Sequence, residues 1–313
     1  MRPTCVVPVV FLLALLVPAA AQPARGPVTI PFAPRAGEAV RYRVERGGKE
    51  RAGGHPVQSI DLTATAAVRV LAALPEGYRL SWTFTDVHVE SEGGVVGPTL
   101  GGATAFGILS GLTVTFEVDR SAQPRRLLNG RTLRAAFLRA VRADEDRPGA
   151  FADLQAAGLR EDFRRRLSNP TALADLVLDE PRLLALVSGQ TLTPGRPTTA
   201  EVSRESPLTS APVRTALTVR LDSLGGDAAR VGWEAVADRE ALVESIRAVL
   251  EAATPGRVDA AYLAELAPTL ALEERATLVV GLERGWVRRA EYVKAARVAG
   301  RERIEEARFR LLG

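Results

Sequence analysis

The chain has 313 residues, of which 46% are hydrophobic, 25% charged and 5% aromatic. This is a globular balance, which excludes disordered, collagen-like and multi-span membrane chains. The 41 basic and 37 acidic residues leave a formal charge of +4, and the two signs are interspersed, so no single-sign block marks a nucleic-acid or anionic-lipid surface.

Residues 1–21 read as a secretory signal. Arg2 gives the positive start, Val6 to Val17 is a short apolar run, and Ala19-Ala20-Ala21 places cleavage before Gln22. The apolar run is too short to span a bilayer core of about 30 Å. The only cysteine, Cys5, lies within this segment, so residues 22–313 contain no thiol. Disulfides, thiol nucleophiles and Cys-ligated zinc are excluded there, and a periplasmic or secreted location is expected.

Several segments then alternate with a period of two. Val40, Tyr42 and Val44 alternate with arginines and Glu45, and Ile60 to Val70 alternate with Asp61, Thr63, Thr65 and Arg69. Tyr78, Leu80, Trp82 and Phe84 share one face, as do Leu112, Val114, Phe116 and Val118. Such strands have one buried and one wet side, the signature of antiparallel sheet. Gly47-Gly48, Gly53-Gly54 and Pro75-Glu76-Gly77 supply turn chemistry, and strands 57–70 and 77–90 are expected to pair as a long hairpin.

From about residue 131 to 188 the period turns helical. Leu133, Ala136, Phe137, Ala140 and Val141 form one stripe, and Leu159, Phe163 and Leu167 a second. A third apolar stretch, 173–187, is broken into two short helices near Pro181. Asn169-Pro170 and Gly189 punctuate this insertion. Strands return at 213–221 and 229–235 around the Gly225-Gly226-Asp227 turn. Asp238 caps a helix whose face is Leu242, Val243, Ile246, Val249 and Leu250, and a short helix follows near 262–266. The tail reads as three strands, 276–282, 286–298 and 301–312. The last two carry Arg and Glu on both faces, so one of them is expected to be an exposed edge. The Pro/Ser/Thr-rich stretch 193–212 either separates two domains or is a long connection within one.

Catalytic signals are sparse. Asp86, His88 and Glu90 share one strand face, but side chains about 7 Å apart on one strand do not converge on a small ion without a bend. No serine sits in a nucleophile elbow, and Glu273-Glu274 and Glu305-Glu306 point to opposite faces of their strands. No phosphate loop or dinucleotide fingerprint is present, so no cofactor is expected. The chain is expected to be non-catalytic, with a hydrolase dependent on His88 as the weaker reading. Export and the lack of an aromatic stacking platform speak against nucleic acid.

Together these elements give an α+β protein with a curved antiparallel β-sheet, half-barrel-like, whose apolar face is covered by helices; residues 22–313 are expected to form one domain with a helical insertion at about 131–188. Tyr78, Leu80, Trp82, Phe84, Leu112, Val114 and Phe116 are the expected apolar lining of a ligand cavity, with residues 95–109 as a flap or a Gly-weakened helix. The order of elements, with GLTVTFEVDRSAQPRRLLN (111–129) and LVVGLERGWVRRAEYV (278–293), resembles the periplasmic Lol-type lipoprotein carriers and LppX-like half-barrels. That resemblance implies a concave apolar face that accepts a lipid or lipoprotein acyl chain, in an insertion-bearing chain longer than a typical carrier. The alternative is an envelope interaction module with a solid core, docking a protein partner through Arg288, Arg289 and Arg297.

Overall fold

A computed structural model describes residues 26–92, 109–145, 167–206, 211–254 and 258–313. The signal segment, the stripe at 159–163 and nearly all of the flap segment lie outside these residues. The strands are β1 (Val28–Thr29), β2 (Ala39–Ala52), β3 (His55–Leu74), β4 (Gly77–Glu92), β5 (Thr113–Asp119), β6 (Pro124–Leu127), β7 (Thr191–Leu192), β8 (Thr198–Glu205), β9 (Pro212–Gly225), β10 (Ala228–Ala237), β11 (Ala271–Gly281), β12 (Val287–Val298) and β13 (Arg301–Leu312). The helices are α1 (Gly130–Glu145), α2 (Pro170–Val177), α3 (Asp179–Leu184), α4 (Arg239–Ala253) and α5 (Ala260–Leu266).

Eleven strands form one antiparallel sheet in the order β6-β5-β4-β3-β2-β13-β12-β11-β10-β9-β8. It consists of two meanders, β2–β6 and β8–β13, stitched together where β2 pairs with β13. At roughly 4.8 Å per strand a flat sheet of this size would be about 50 Å wide. Yet Val114 and Phe116 of β5, Val219 and Leu221 of β9, and Leu133, Phe137, Leu173 and Val177 of α1 and α2 belong to one apolar core. The sheet therefore curls around the helices, and it is open, since β6 and β8 are its edges. Register shifts in the β3–β4, β2–β3, β9–β10 and β11–β12 pairs help the bend, because a bulge tightens the local twist.

Local chemistry sets the helices. Asn169 Oδ1 accepts from the Thr171 and Ala172 amides at 2.9 and 3.4 Å, with Pro170 in the first turn of α2, where a missing amide costs nothing. Asp238 Oδ1 accepts from the Ala241 amide at 2.8 Å and starts α4. A second, smaller apolar cluster of Val213, Leu242, Leu266, Leu270 and Leu272 lies beneath α4 and α5.

Four expectations are corrected. Neither β12 nor β13 is an edge: each has a partner on both sides, and the inward Lys294, Arg303 and Glu305 are in ion pairs on the concave side. Gly47-Gly48 is not a turn but the middle of β2, where Gly47 lies opposite Asp61 and Glu306. The connection 193–212 contains a full strand, β8, paired with β9 despite its polar composition. A bulge separates Asp86 from His88 and Glu90, which lie opposite Thr63 and Asp61 and stay on one outward face. Asp86 adopts φ +54° where the β3–β4 register shifts, so Val87 turns toward the core while His88 lies opposite Thr63 and is exposed.

Candidate apolar cavity and charged belt

Even-numbered residues of β2, of β3 as far as Val70 and of β4 as far as Phe84 point to the concave side, which places Tyr42, Val68, Leu80 and Trp82 on one floor with Phe116 of β5. A cavity of about 30 Å³ lies above that floor. Its other walls are Pro181 and Leu184 of α3, Ala185 just beyond it, Ala122, and Phe32, Trp286 and Val287. Phe32, Leu184 and Trp286 are half-buried and form the rim, whereas Tyr42, Val68, Trp82 and Phe116 are buried.

The aromatic groups are organised. Tyr42 and Trp82 stack at 6.3 Å between centroids with rings 9° apart, and Trp82 meets Phe84 at 5.9 Å. At the rim Phe32 stands edge-on to Tyr78 at 5.3 Å and to Trp286 at 5.6 Å, the geometry that ring quadrupoles favour. Trp286 Nε1 donates to Glu38 at 2.6 Å.

Phe32 is held by a segment crossing the mouth. The Ile30 amide donates to the Gln190 carbonyl at 2.8 Å, the Ala33 amide to the Arg284 carbonyl at 3.0 Å, and β1 pairs with β7. Gly285 makes this passage possible: it sits at φ +78°, and a Cβ there would overlap the Pro31 carbonyl.

The wall made by α3 is short, and a six-residue helix has little stability of its own. It is anchored by charge. Arg46 Nη1 on β2 donates to Asp179 Oδ2 at 2.7 Å and to Glu180 Oε1. Glu180 is 1% exposed. Burial pushes its carboxyl up to about 7, with the Asp179 charge adding to the rise and Arg46 opposing it. For Arg46, burial alone would lower the guanidinium, but Asp179 and Glu180 outweigh it and hold the group above its ordinary value. Gln123 Nε2 also ties the helix end, donating to the Ala185 carbonyl at 2.8 Å.

Next to this apolar region the concave face becomes ionic. Val44, Phe309, Ala290 and Leu278 form one cross-strand row, and two rows further along stand Gly48, Glu305, Lys294 and Glu274. Glu274 is the hub: it accepts from Tyr292 Oη at 2.8 Å and Arg204 Nη1 at 2.9 Å, with Lys294 Nζ 3.9 Å away. Arg204 also lies over the Trp233 ring at 5.4 Å. Burial and the Glu274 charge push the Tyr292 phenol up, and burial pulls the Arg303 guanidinium down.

Of the seven residues expected to line a cavity, Leu80, Trp82 and Phe116 do so. Phe84 and Val114 are buried in the surrounding core, Tyr78 braces Phe32, and Leu112 is half-buried at the core margin. Sequence reasoning missed Tyr42, Phe32, Trp286 and the α3 wall. Alternation did place Tyr42 on a buried face, but nothing local says that this face meets Trp82. The Arg/Glu tail gave a signal for the belt, which was read as solvent exposure. Arg288, Arg289 and Arg297 are all in ion pairs, with Asp227 (2.9 Å for the Nη1–Oδ1 contact), Glu291 (2.6 Å) and Glu302 (2.8 Å). Among the described residues no helix is long and apolar enough to cross a membrane, and no cluster of metal-ligating side chains is found.

No protein-family model matches the chain, and no curated protein sequence matches it. Among solved structures it is similar to lipovitellin, from a structure describing lipid–protein interactions in that protein. The identity is 9% and the TM-score 0.47, over 89% of this chain. The chain spans only 25% of the lipovitellin chain. An outer membrane channel from Pseudomonas putida aligns with a TM-score of 0.18 and 9% identity, over 90% of this chain and 97% of that one. These likenesses are shallow and identify no Lol-type or LppX-like family.

Proposed function

We propose that this is an exported, non-catalytic protein of the bacterial envelope that binds a hydrophobic or amphipathic ligand, a lipid or acyl chain, on the concave face of its half-barrel. The observation that carries the reading is the aromatic cavity between that face and α3. A cavity of about 30 Å³ holds roughly one water, whereas ligand sites run to about 300–1,000 Å³. The described form is thus a closed one, and an acyl chain enters as α3 shifts. The build of the wall supports this: it is short, of low intrinsic stability, and tied to the sheet by Arg46, by Gln123 and by the packing of Leu183 rather than by a continuous backbone ladder. The arginine-led apolar leader with its small-residue cleavage site supports export, with cleavage before Gln22.

Titration of the purified protein with a fluorescent C12 fatty-acid analogue tests the reading. Saturable binding at about one per chain, competed by unlabelled acyl chains, is the expected result. The second reading is the solid-core interaction module, favoured by the same small volume. It expects no uptake of any chain, together with an in-cell crosslink to one protein that is lost on charge reversal at Arg288, Arg289 and Arg297.

A further inference from the structure

We infer that the cavity floor is a hydrogen-bonding site for an uncharged carbonyl oxygen, so that the ligand class is an acyl ester rather than a free fatty-acid anion. This inference rests on the acyl-chain reading above and names the group that the site selects. Two side-chain polar atoms of cavity-lining residues, Tyr42 Oη and Trp82 Nε1, are buried with no hydrogen-bond partner among the described residues. Tyr42 is 1% exposed and Trp82 3%, and both line the same cavity. They stand on β2 and β4, on either side of β3, with their rings stacked.

Their chemistry limits what can satisfy them. An indole N–H only donates. Burial holds the Tyr42 phenol above its ordinary value, so it keeps its proton and can donate as well. A carbonyl oxygen has two lone pairs and can accept from both. Among the described residues no Lys, Arg or His lines the cavity, so a carboxylate there would be a buried charge without a counter-ion. The remaining walls are apolar or aromatic, which suits the chain attached to the carbonyl.

Calorimetric titration of the full chain at pH 8 with methyl decanoate, decanoate and decane tests this. The ester is expected to bind about tenfold or more tighter than the other two, one to two charge-free hydrogen bonds being worth about that factor. Tyr42→Phe and Trp82→Phe should each remove most of the ester's advantage and leave decane binding unchanged. A carbonyl-¹³C ester bound to the wild type should show a lowered C=O stretching frequency that rises in Tyr42→Phe. If Trp82→Phe does not fold, Tyr42→Phe and the infrared band decide the matter alone. An ester preference that survives Tyr42→Phe, or an anion bound as tightly as the ester, overturns this inference while the acyl-chain reading stands. Failure of all three ligands to bind overturns both.

Discussion

The concave face has two regions built from the same strands by opposite chemistry. Near the cavity, the inward positions of β2, β13, β12 and β11 are Val44, Phe309, Ala290 and Leu278, in one core with α1–α3. Two rows along, the same strands present Gly48, Glu305, Lys294 and Glu274. Backbone pairing is continuous through both rows, so the ladder does not distinguish them. What differs is what lies above the sheet. Where an apolar layer covers the face, each inward side chain gains roughly 25 cal/mol per Å² buried. In the charged rows, charges are tolerated because each finds an opposite partner while retaining some water. A charged inward position in a curved sheet therefore marks a gap in its apolar cover as readily as a sheet edge: the next inward residues of β11 and β12, Leu272 and Ala296, belong to the second apolar cluster.

The contrast can be broken most strongly in the apolar region. Phe116→Ala should cost about 3–5 kcal/mol in guanidinium unfolding, because a fully buried ring leaves a void that the curved sheet cannot close. At the boundary between the two regions, Arg46→Met should cost about 3 kcal/mol at pH 8 by stranding the buried Glu180, and less at pH 5, where that carboxyl holds a proton. The sign follows from the raised Glu180 value, about 7 against an unfolded 4.5. Folding favours the protonated form, so its contribution is fully present below about 4.5 and is lost as the pH climbs to about 7. Glu180→Gln should abolish that component of the stability–pH curve, which a denaturation series from pH 4 to 8 would read. Within the belt, Glu274→Ala should cost about 1–3 kcal/mol by leaving the buried Tyr292 hydroxyl and the Arg204 guanidinium without their shared acceptor. On the exposed convex side, Arg297→Ala should change stability by no more than about 1 kcal/mol, since its pair with Glu302 is solvated. A larger loss there than at Glu274 would erase the distinction drawn between inward and outward charges.

Much of this was legible in the chain. The hairpin of β3 and β4 follows from alternation on either side of Pro75-Glu76-Gly77, and α2 and α4 follow from Asn169-Pro170 and Asp238. Leu80, Trp82 and Phe116 were identifiable as cavity-facing because they alternate with polar residues and are large. The β4 bulge at Asp86 was not legible, because a bulge is chosen by the pairing partner and carries no obligatory residue. Strand β8 was not legible either: its Thr, Glu, Ser and Arg residues become a strand by pairing with β9, not by their own apolar pattern.

The sequence by itself determined most of the strands and helices, where most turns fall and which side of most strands is greasy. These are local properties, set by side-chain period and by the backbone preferences of Gly, Pro, Asn and Asp. Only the tertiary structure decided that β2 joins β13, that Tyr42 meets Trp82 across β3, and that Lys294, Arg303 and Glu305 of the final strands turn inward to a belt shared with Glu274. Those outcomes depend on register and curvature, which are fixed by contacts between residues far apart in the chain and leave no mark in any single stretch of it.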